Sequence, residues 1–508
     1  MLNRKIGIWT IVLFTIVLLV GFVTLDEIAP AGRKLATIRG IDAVCYFDIA
    51  HSILFDHDFN LTNEFERMPQ DSRSNWTRRR PETGLPGSVW AVGYSILQLP
   101  LLALGTGIDA LVGNPADGYS RWAIFCYSIG TLLMVGFGML ALYCLLESIG
   151  SYWQIPELPR AGYGLFITFV TFFGTNVGYY AFSRMSHSST FLLACLFLYM
   201  WWRVRDSESR RHWLFLGLLG GFLSICRWQE IFYLAGPLLY DLLGGEFRKK
   251  SPKFWQAKVI YGIGIVISWI PQMLEWKAIY GRYLTNPVGG SFFAFPPPYI
   301  SKVLLSTNVG WFVWTPVTIL GVTGLLLGAY KAYRIYVPWL LVVAMEVVFI
   351  GSVITWDGGD SFGARYLISS TPLIALGIMT FFCLSAEWVR RGLAPLCALC
   401  CVFTVLFVIQ FRLDLIPRGT QLTFSELLTD KFHLRQVKAR KAAVRQAGAL
   451  LANGDVATAI AVLESAQPLG QDRDIDRLLE RAYRAAGRQE DADAAATRYQ
   501  RVLASRLY

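Results

Sequence analysis

The sequence has little charge and none of the motifs that identify common soluble enzymes. Only 16% of the 508 residues are charged, whereas 54% are hydrophobic, and the mean hydropathy is +0.43. No zincin, P-loop, GxSxG or Rossmann signature occurs in a plausible context. These absences exclude an ordinary soluble enzyme and argue against a cytoplasmic enzyme that uses a nucleotide.

Neither the cysteines nor the positive net charge indicates a metal site, a redox site or binding of nucleic acid. The nine cysteines lie mostly in apolar runs, and the CxxC of Cys397 and Cys400 stands inside such a run. A buried cysteine usually packs as a small hydrophobic residue. The net charge of +11 comes from Lys and Arg that collect at the ends of apolar runs, as in membrane proteins. We therefore expect membrane lipids, and no nucleic acid, as partners.

What the sequence does contain is a series of apolar runs that approach the ~20 residues needed to cross a bilayer. We predict an all-α, polytopic transmembrane bundle over residues 1–411, with about eleven spans. The first run is longer than the apolar part of a signal peptide, and we expect it to be retained with its start in the cytoplasm. The candidate spans are 6–25, 122–146, 163–182, 188–202, 213–226, 228–243, 258–276, 311–330, 336–356, 367–386 and 393–411.

The distribution of basic residues predicts the orientation of this bundle. Arginines and lysines concentrate in connections near residues 203–211, 248–253, 331–334 and 390–391, which we expect to be cytoplasmic. The alternating loops then face outward, and they are 26–120, 183–187, 227–230, 277–310 and 357–366. The apolar stretch 87–112 would break this alternation if it crossed. Its Gly and Pro residues favour a broken interfacial or re-entrant segment within the first outer loop.

The last part of the chain differs in character. After a predicted linker over 412–433, residues 434–508 are polar, rich in Ala and Arg, and helical in pattern. Segments 449–466 and 482–499 match at a period of 33 residues, with small residues at Ala449/Ala482, Gly454/Gly487 and Ala459/Ala492. This resembles tetratricopeptide repeats, and a plain helical hairpin is the alternative. The tail would lean on the helix from Leu434, on the membrane domain or on a partner, outside the cytoplasm.

The first outer loop concentrates acids and aromatic residues in GIDAVCYFDIAHSILFDHDFNLTNEFE (40–66). A carboxylate just outside a span can act as a general base toward an acceptor hydroxyl. Asp42 is the first candidate for this role and Asp48 the second, with Tyr46 as a substrate-binding neighbour. In the alternative, Asp42 only caps the helical pattern that begins at Val44. Asp56 and Asp58 are typical of turn residues.

Further candidates for binding the substrate lie in other outer loops. In TWDGGDSFGARYL (355–367), Arg365 suits a phosphate because its guanidinium makes bidentate hydrogen bonds. In the alternative, Arg365 extends its charge to the membrane interface or pairs with Asp360, itself a candidate. Arg227 and Glu230 interrupt two apolar pieces, and they either bind substrate or neutralise each other. His187 is a weaker candidate at the end of a span, where hydrogen bonding is a commoner role than catalysis.

The order of these segments resembles the GT-C superfamily of integral-membrane glycosyltransferases, in the branch of protein O-mannosyltransferases and aminoarabinose transferases. The resemblance covers about residues 1–411 and rests on the first-loop segment together with IPQMLEWKAIYG, NVGWFVWTPV and WDGGDSFGARYL. It implies a sugar donor linked to polyprenyl phosphate, an active site outside the cytoplasm, and Asp42 as the base. An acidic pair directly beside the first span, Asp26–Glu27, is the rival assignment.

The resemblance also implies the chemistry. Asp42 would deprotonate an acceptor hydroxyl, which attacks the anomeric carbon with inversion, while Arg365 and Arg227 stabilise the leaving lipid phosphate. No cofactor and no metal are expected, and a divalent cation enters only if the donor is pyrophosphate-linked. The acceptor, whether glycan, lipid or protein, is not specified. A lipid or solute transporter or flippase and a non-catalytic envelope assembly protein are the alternatives.

Overall fold

The computed structural model describes residues 4–30, 34–67, 77–245, 251–359, 361–470 and 472–504. Over these residues the chain is all-α, as the sequence predicts. Extended backbone within them pairs only as the isolated bridges Arg79–Pro86 and Phe293–Val353. Apart from these bridges, the regular hydrogen bonding that the structure describes is helical, which suits a chain with long apolar runs.

The helices are numbered in chain order, and short 3-10 and π-helical turns lie between some of them. Their bounds are α1 (Arg4–Ile28), α2 (Ile41–His51), α3 (Thr62–Arg67), α4 (Gly93–Leu111), α5 (Arg121–Tyr152), α6 (Glu157–Gly174), α7 (Val177–Tyr180), α8 (His187–Val204), α9 (Arg210–Ser224), α10 (Ala235–Leu243), α11 (Pro252–Tyr280), α12 (Ile300–Leu305), α13 (Trp311–Trp314), α14 (Val317–Lys331), α15 (Tyr333–Ser352), α16 (Thr371–Leu384), α17 (Glu387–Arg412), α18 (Leu434–Ala452), α19 (Val456–Ala466), α20 (Arg473–Ala485) and α21 (Gln489–Ala504).

Six helices in the described ranges are long and apolar enough to cross a membrane, namely α1, α4, α5, α11, α15 and α17. Shorter apolar helices, among them α14 and α16, accompany them. Several long apolar helices are what a multi-pass membrane protein requires. The further predicted spans coincide with shorter helices, and their crossing of the bilayer stays a prediction.

Helix α4 differs from the broken segment predicted for residues 87–112. Residues Gly93–Leu111 form one continuous helix that contains Pro100. Proline is tolerated inside apolar helices because neighbouring groups satisfy the carbonyl that it leaves free. Pro100 therefore does not interrupt the helix, and the interfacial or re-entrant placement of this segment stays a prediction.

The described chain divides into two compact units. The first comprises Met1–Ile300, Val317–Ile354 and Arg365–Cys401, and the second comprises Ser301–Pro316, Thr355–Ala364 and Val402–Tyr508. In the first unit, α14 and α16 approach closely at Gly324 and Gly377, where a Cβ on either glycine would overlap the opposite backbone. Small residues at such crossings let helices pack where no water drives them together.

Helix α2 lies in the core of the first unit. Its residues Cys45, Phe47 and Ile49 are buried in one cluster with Trp90 and Tyr94. The described thiols, all nine of the chain, are free, and six of them are buried. The packing fixes α2 along most of its length, so both of its ends hold defined positions.

The second unit contains the tail as two helical hairpins, α18–α19 and α20–α21. The first helix of each is followed by a glycine at the same repeat position, Gly454 with φ 81° and Gly487 with φ 74°, which end a helix as glycine does. Ala459 and Ala492 are both 0% exposed. The repeated pattern thus corresponds to repeated structure, and its membership of the tetratricopeptide class stays a prediction.

The predicted linker 412–433 is folded against this tail. It contains the π-helical turn Ser425–Thr429, and Glu426 pairs with Arg473 (3.4 Å) while Asp430 pairs with Arg440 (3.1 Å). These four side chains are nearly buried. Buried ion pairs fix the geometry of the groups they join, so this segment is part of the tail rather than a free connection.

Candidate active site at the start of helix α2

Asp42 is held by two partners that are distant in sequence. Helix α2 follows Gly40, whose φ of 84° favours glycine, and Asp42 lies in the first turn. Its Oδ1 accepts a hydrogen bond from Trp90 Nε1 (2.9 Å), and its Oδ2 accepts one from Arg365 Nη1 (2.8 Å). The alternative in which Asp42 only caps the helix is wrong, because Gly40 occupies the cap position and the carboxylate faces tertiary partners.

The Asp42–Arg365 ion pair is partly accessible, with side chains 26% and 17% exposed respectively. Burial by itself raises the pKa of Asp42, but the charge of Arg365 and the hydrogen bonds from Trp90 and Arg365 outweigh burial. The pKa of Asp42 therefore lies below its ordinary value, with Arg227 acting in the same direction. The carboxyl group is ionised at neutral pH.

Two guanidinium groups share the ring of Tyr366. Arg365 lies 5.4 Å and Arg227 5.2 Å from the ring centroid. The Nε atom of each arginine is buried and has no hydrogen-bond partner among the residues that the structure describes. Buried donors are normally satisfied, and an anion with several oxygens is the ligand that two such donors suit.

His187 supports Arg227. Its Nε2 lies 3.1 Å from Arg227 Nη1, and because a guanidinium only donates, Nε2 accepts and the proton of the neutral ring is on Nδ1. The ring is stacked on Tyr180 with centroids 4.1 Å apart. His187 is thus a positioning residue in this geometry, and the predicted substrate contact stays a prediction.

Tyr46 connects α2 to the segment that carries His187. Its hydroxyl donates to Ser186 Oγ (3.0 Å), and its carbonyl accepts from Ser95 Oγ (2.7 Å). Burial raises the pKa of Tyr46 to about 12, so the phenol is neutral. These contacts indicate a positioning role, and a direct contact of Tyr46 with substrate stays a prediction.

Glu230 lies beside a second buried carboxyl group, Glu346. Both are 0% exposed. Glu346 accepts hydrogen bonds from the hydroxyls of Ser369 (3.2 Å) and Ser370. Arg227, which the sequence suggested as the partner of Glu230, instead donates to His187; its charge still acts on both carboxyl groups.

Asp48 lies elsewhere on α2 from the Asp42–Arg365 pair. It is 3% exposed, and its Oδ2 has no hydrogen-bond partner in the described part of the chain. Burial first, and then the charge of Glu64, raise the pKa of Asp48 to about 8. A carboxyl group that keeps its proton at neutral pH is a poor proton acceptor, so the geometry favours Asp42 over Asp48.

The rival acids have structural contacts. Asp26 Oδ1 accepts a hydrogen bond from the backbone N of Ala36 (2.7 Å), and Glu27 pairs with Arg121 at the surface. These contacts shape the chain that follows α1. The contacts of Asp26 and Glu27 explain these acids as structural residues, whereas Asp42 contacts Arg365.

The turn assignments of the other first-loop acids agree with the structure. Asp56 Oδ2 accepts from Asn63 Nδ2 (2.9 Å), and Asp58 Oδ1 accepts from Ser52 Oγ (2.9 Å). Asp360 lies outside the described residues. Arg365 pairs with Asp42, and the suggested roles of Asp360 stay predictions.

Sequence reasoning missed three residues of this site. Trp90 and Tyr366 carry no charge, and nothing in an apolar, aromatic sequence distinguishes them from packing residues. Glu346 did carry a signal, because an acid inside an apolar helix such as α15 is functional or paired by default.

Comparisons with known proteins give a limited similarity. No family model matches the chain, and no curated protein matches it significantly in sequence. Among solved structures, apo ArnT from Cupriavidus metallidurans is similar over 97% of this chain and 77% of that chain, with a TM-score of 0.45 and 12% identity. The Archaeoglobus fulgidus oligosaccharyltransferase, tethered to an acceptor peptide containing the NVT sequon, is similar over 85% of this chain and 58% of that chain, with a TM-score of 0.44 and 10% identity.

Proposed function

We propose that this chain is a membrane glycosyltransferase that moves a sugar from a polyprenyl-phosphate donor to an acceptor hydroxyl, with inversion. The observation that supports this proposal most directly is the contact of Asp42 with Arg365 (2.8 Å). The Nε of the same guanidinium has no hydrogen-bond partner among the described residues. Glycosyl transfer from a phosphate needs a proton acceptor for the incoming hydroxyl and a cation for the departing phosphate. This pair supplies both groups at one place.

The phosphate of the donor would bind between Arg365 and Arg227. Both guanidinium groups flank the Tyr366 ring, and both offer a buried Nε–H to an incoming oxygen. His187, held on the ring of Tyr180, keeps Arg227 in place through its Nε2. Such preorganised donors stabilise charge as it develops, because they need no rearrangement during the reaction.

Donor binding would also activate Asp42. In the resting protein both carboxylate oxygens accept hydrogen bonds, and Arg365 holds the pKa of Asp42 below its ordinary value. A phosphate that takes over Arg365 removes this counter-charge, and the pKa of Asp42 rises because burial then dominates. Asp42 becomes a stronger base only when the donor is present, which suppresses proton abstraction without a sugar to transfer.

The transfer step then involves one bond made and one broken. The acceptor oxygen attacks the anomeric carbon from the side opposite the phosphate, and its proton passes to Asp42. The bond from the anomeric carbon to the phosphate oxygen breaks, and the lipid phosphate leaves as an anion on Arg365 and Arg227. A phosphate is a good leaving group, so this scheme uses no strong general acid. With a monophosphate donor it also uses no metal at the reaction centre.

The test is donor consumption by the purified full chain in proteoliposomes. Polyprenyl phosphates that carry labelled hexoses or pentoses are supplied with glycan, lipid and protein fractions as acceptors. The wild type is expected to release polyprenyl phosphate and form an inverted product, and Asp42→Asn is expected to lose this activity. Asp58→Asn, an exposed acid in the same loop, is the matched control and should keep it.

Two results would overturn the proposal. If Asp42→Asn consumed donor as fast as the wild type, Asp42 would not be the base. If the wild type consumed no lipid-linked sugar with any acceptor fraction, the glycosyltransferase assignment itself would be wrong. The same proteoliposomes, assayed for movement of labelled lipid between leaflets, test the alternative activity of a transporter or flippase.

A transporter or flippase is the second candidate, and one observation favours it. Glu230 and Glu346 are buried side by side in the helical first unit, and buried acids among apolar helices often belong to ion-coupled pathways. A transporter would move lipid or solute without breaking the sugar–phosphate bond, and Glu346→Gln would abolish the movement. Intact donor on both leaflets would identify this function.

The orientation and the partners complete the proposal. We place the Asp42 site and the tail outside the cytoplasm of a bacterial cell. The connections rich in Lys and Arg are expected to be cytoplasmic, and the segments that alternate with them then lie on the other side of the membrane. The α18–α21 hairpins are the region that would bind a protein partner, as helical repeats do. Protease accessibility of the tail in right-side-out and inverted vesicles tests this orientation.

A further inference from the structure

The far end of helix α2 brings together one histidine and two carboxylates. After His51 the chain makes the π-helical turn Ser52–Asp56 and then enters α3, which carries Glu64. One ligand atom each from His51, Asp56 and Glu64 lies within 4.8 Å of the others. Single π-helical turns occur frequently at functional sites, and this turn is what returns Asp56 toward His51.

A backbone contact assigns the tautomer of the neutral His51 ring. His51 Nε2 lies 2.9 Å from the carbonyl oxygen of Asp117, and a carbonyl only accepts, so Nε2 carries the proton. In the neutral ring Nδ1 then presents a lone pair, and it faces Glu64 Oε1 at 3.0 Å. Two acceptors at this distance repel each other unless a cation lies between them or the ring takes a second proton. A histidine whose other nitrogen donates to a backbone carbonyl is the arrangement found in metal sites.

The carboxylates have unused coordination capacity. Glu64 is 2% exposed, and its Oε2 has no hydrogen-bond partner among the described residues. Asn63 Nδ2 donates to both Asp56 Oδ2 (2.9 Å) and Glu64 Oε1 (3.1 Å), which orients the two carboxylates toward each other. Asp56 is exposed, so it offers a solvent-facing side through which an ion can enter.

We propose that His51, Asp56 and Glu64 bind one divalent cation of the zinc class. An imidazole nitrogen with two carboxylate oxygens is a ligand set that zinc accepts, with water completing the coordination. His51 lies nine residues beyond Asp42 on α2, a rise of about 13 Å at about 1.5 Å per residue. The ion is therefore separate from the Asp42–Arg365 pair, and it would tie the end of α2 to α3.

The test is zinc binding by the full chain, purified in detergent without a histidine tag. The protein is stripped with a chelator, desalted, and titrated with zinc chloride against a chromophoric zinc indicator. The wild type is expected to bind one zinc ion tightly. Asp56→Asn, which keeps an oxygen for Asn63 and lies at the surface, is expected to weaken this binding about tenfold or more. His57→Ala, at the exposed histidine that directly follows this turn, is the matched control and should bind like the wild type.

Thermal unfolding supplies a second measurement on the same samples. Added zinc should raise the Tm of the wild type and of His57→Ala, and it should leave the Tm of Glu64→Gln unchanged. Two outcomes would overturn the proposal. In one, the wild type binds no zinc, which makes His51–Glu64 an ion pair only. In the other, Asp56→Asn and Glu64→Gln bind zinc as the wild type does, which makes the zinc adventitious. Neither outcome depends on glycosyl transfer.

Discussion

The two ends of helix α2 carry the same type of residue in opposite electrostatic surroundings. At its start, Arg365 holds the pKa of Asp42 below the ordinary value despite burial. Six residues later, burial and the charge of Glu64 raise the pKa of Asp48 to about 8. One carboxyl group is an anion at neutral pH and the other keeps its proton. The neighbours brought in from other helices, rather than the helix itself, decide the difference.

The difference in pKa between Asp42 and Asp48 distinguishes a residue that can take part in a reaction from one that has a structural role on the same helix. An ionised carboxylate whose counter-ion can be taken by a substrate anion is able to accept a proton at the right moment. A buried, protonated carboxyl group has no such capacity. The far end of α2, with His51 and Glu64, instead has the ligands for a cation. Helix α2 thus links a proposed reaction site to a proposed structural ion site.

The largest effect should be the difference in activity between replacing Asp42 and replacing Asp48 by asparagine. Asp42→Asn is expected to lower kcat/KM for donor consumption by about 10²–10⁴, the usual contribution of a general base. Asp48→Asn should change kcat/KM less than about threefold, because an amide resembles a protonated carboxyl group. Steady-state rates in proteoliposomes measure both. A larger loss for Asp48→Asn than for Asp42→Asn would reverse the roles of the two ends.

The next largest effect should be a change in the pH dependence of kcat/KM when Arg365 is replaced. Because the pKa of Asp42 in the donor-free protein is depressed, the wild-type kcat/KM should stay constant as the pH falls from 7 to about 5, since Asp42 keeps its charge until donor binds. In Arg365→Gln the counter-charge is gone and burial dominates, so the pKa of Asp42 rises. The acid limb of kcat/KM should then move to higher pH by about one unit or more.

Arg365→Lys is the matched control for this profile. It keeps the positive charge, so the acid limb should stay near the wild-type position, while the rate falls because lysine lacks the bidentate fork. An acid limb that moved equally in both variants would show that the charge at position 365 does not set the pKa of Asp42.

Much of this arrangement was predictable from residue types. Long apolar runs predicted the all-α class, and Gly454 and Gly487, which match in the sequence repeat, both have positive φ in the structure. Asp42 and Arg365 were each identified from charge beside apolar segments, although 323 positions separate them. Charge in an apolar sequence is expensive, so it stands out.

The rest depended on partners that sequence does not specify. Trp90 donates to Asp42, but an indole in an aromatic-rich chain gives no sign of a special role. Pro100 favoured an interruption of the helix, yet α4 continues through it, because packing decides whether a freed carbonyl is satisfied. Which acid meets an arginine is likewise a property of the packed helices.

A smaller effect should follow removal of the proposed ion at the far end of α2. Chelation is expected to lower the Tm of the wild type by about 1–2 °C, because the large unfolding entropy of a long chain makes each kcal/mol worth only about 1 °C. It should change donor consumption less than about threefold, because the ion lies away from Asp42. Activity that fell tenfold on chelation and returned with zinc would instead place a metal at the reaction centre.

The smallest effect should come from the middle of the helix, at Tyr46. Tyr46→Phe removes the hydrogen bond to Ser186 Oγ, which costs about 1 kcal/mol of unfolding free energy. Because Ser186 precedes His187, which positions Arg227, we expect KM for the donor to rise about two- to fivefold with little change in kcat. Ser95→Ala, which removes a hydrogen bond to the carbonyl of Tyr46, is the control and should affect stability alone. A fall in kcat without a change in KM for Tyr46→Phe would place the phenol at the reacting atoms and extend the reactive end of α2 by a full turn.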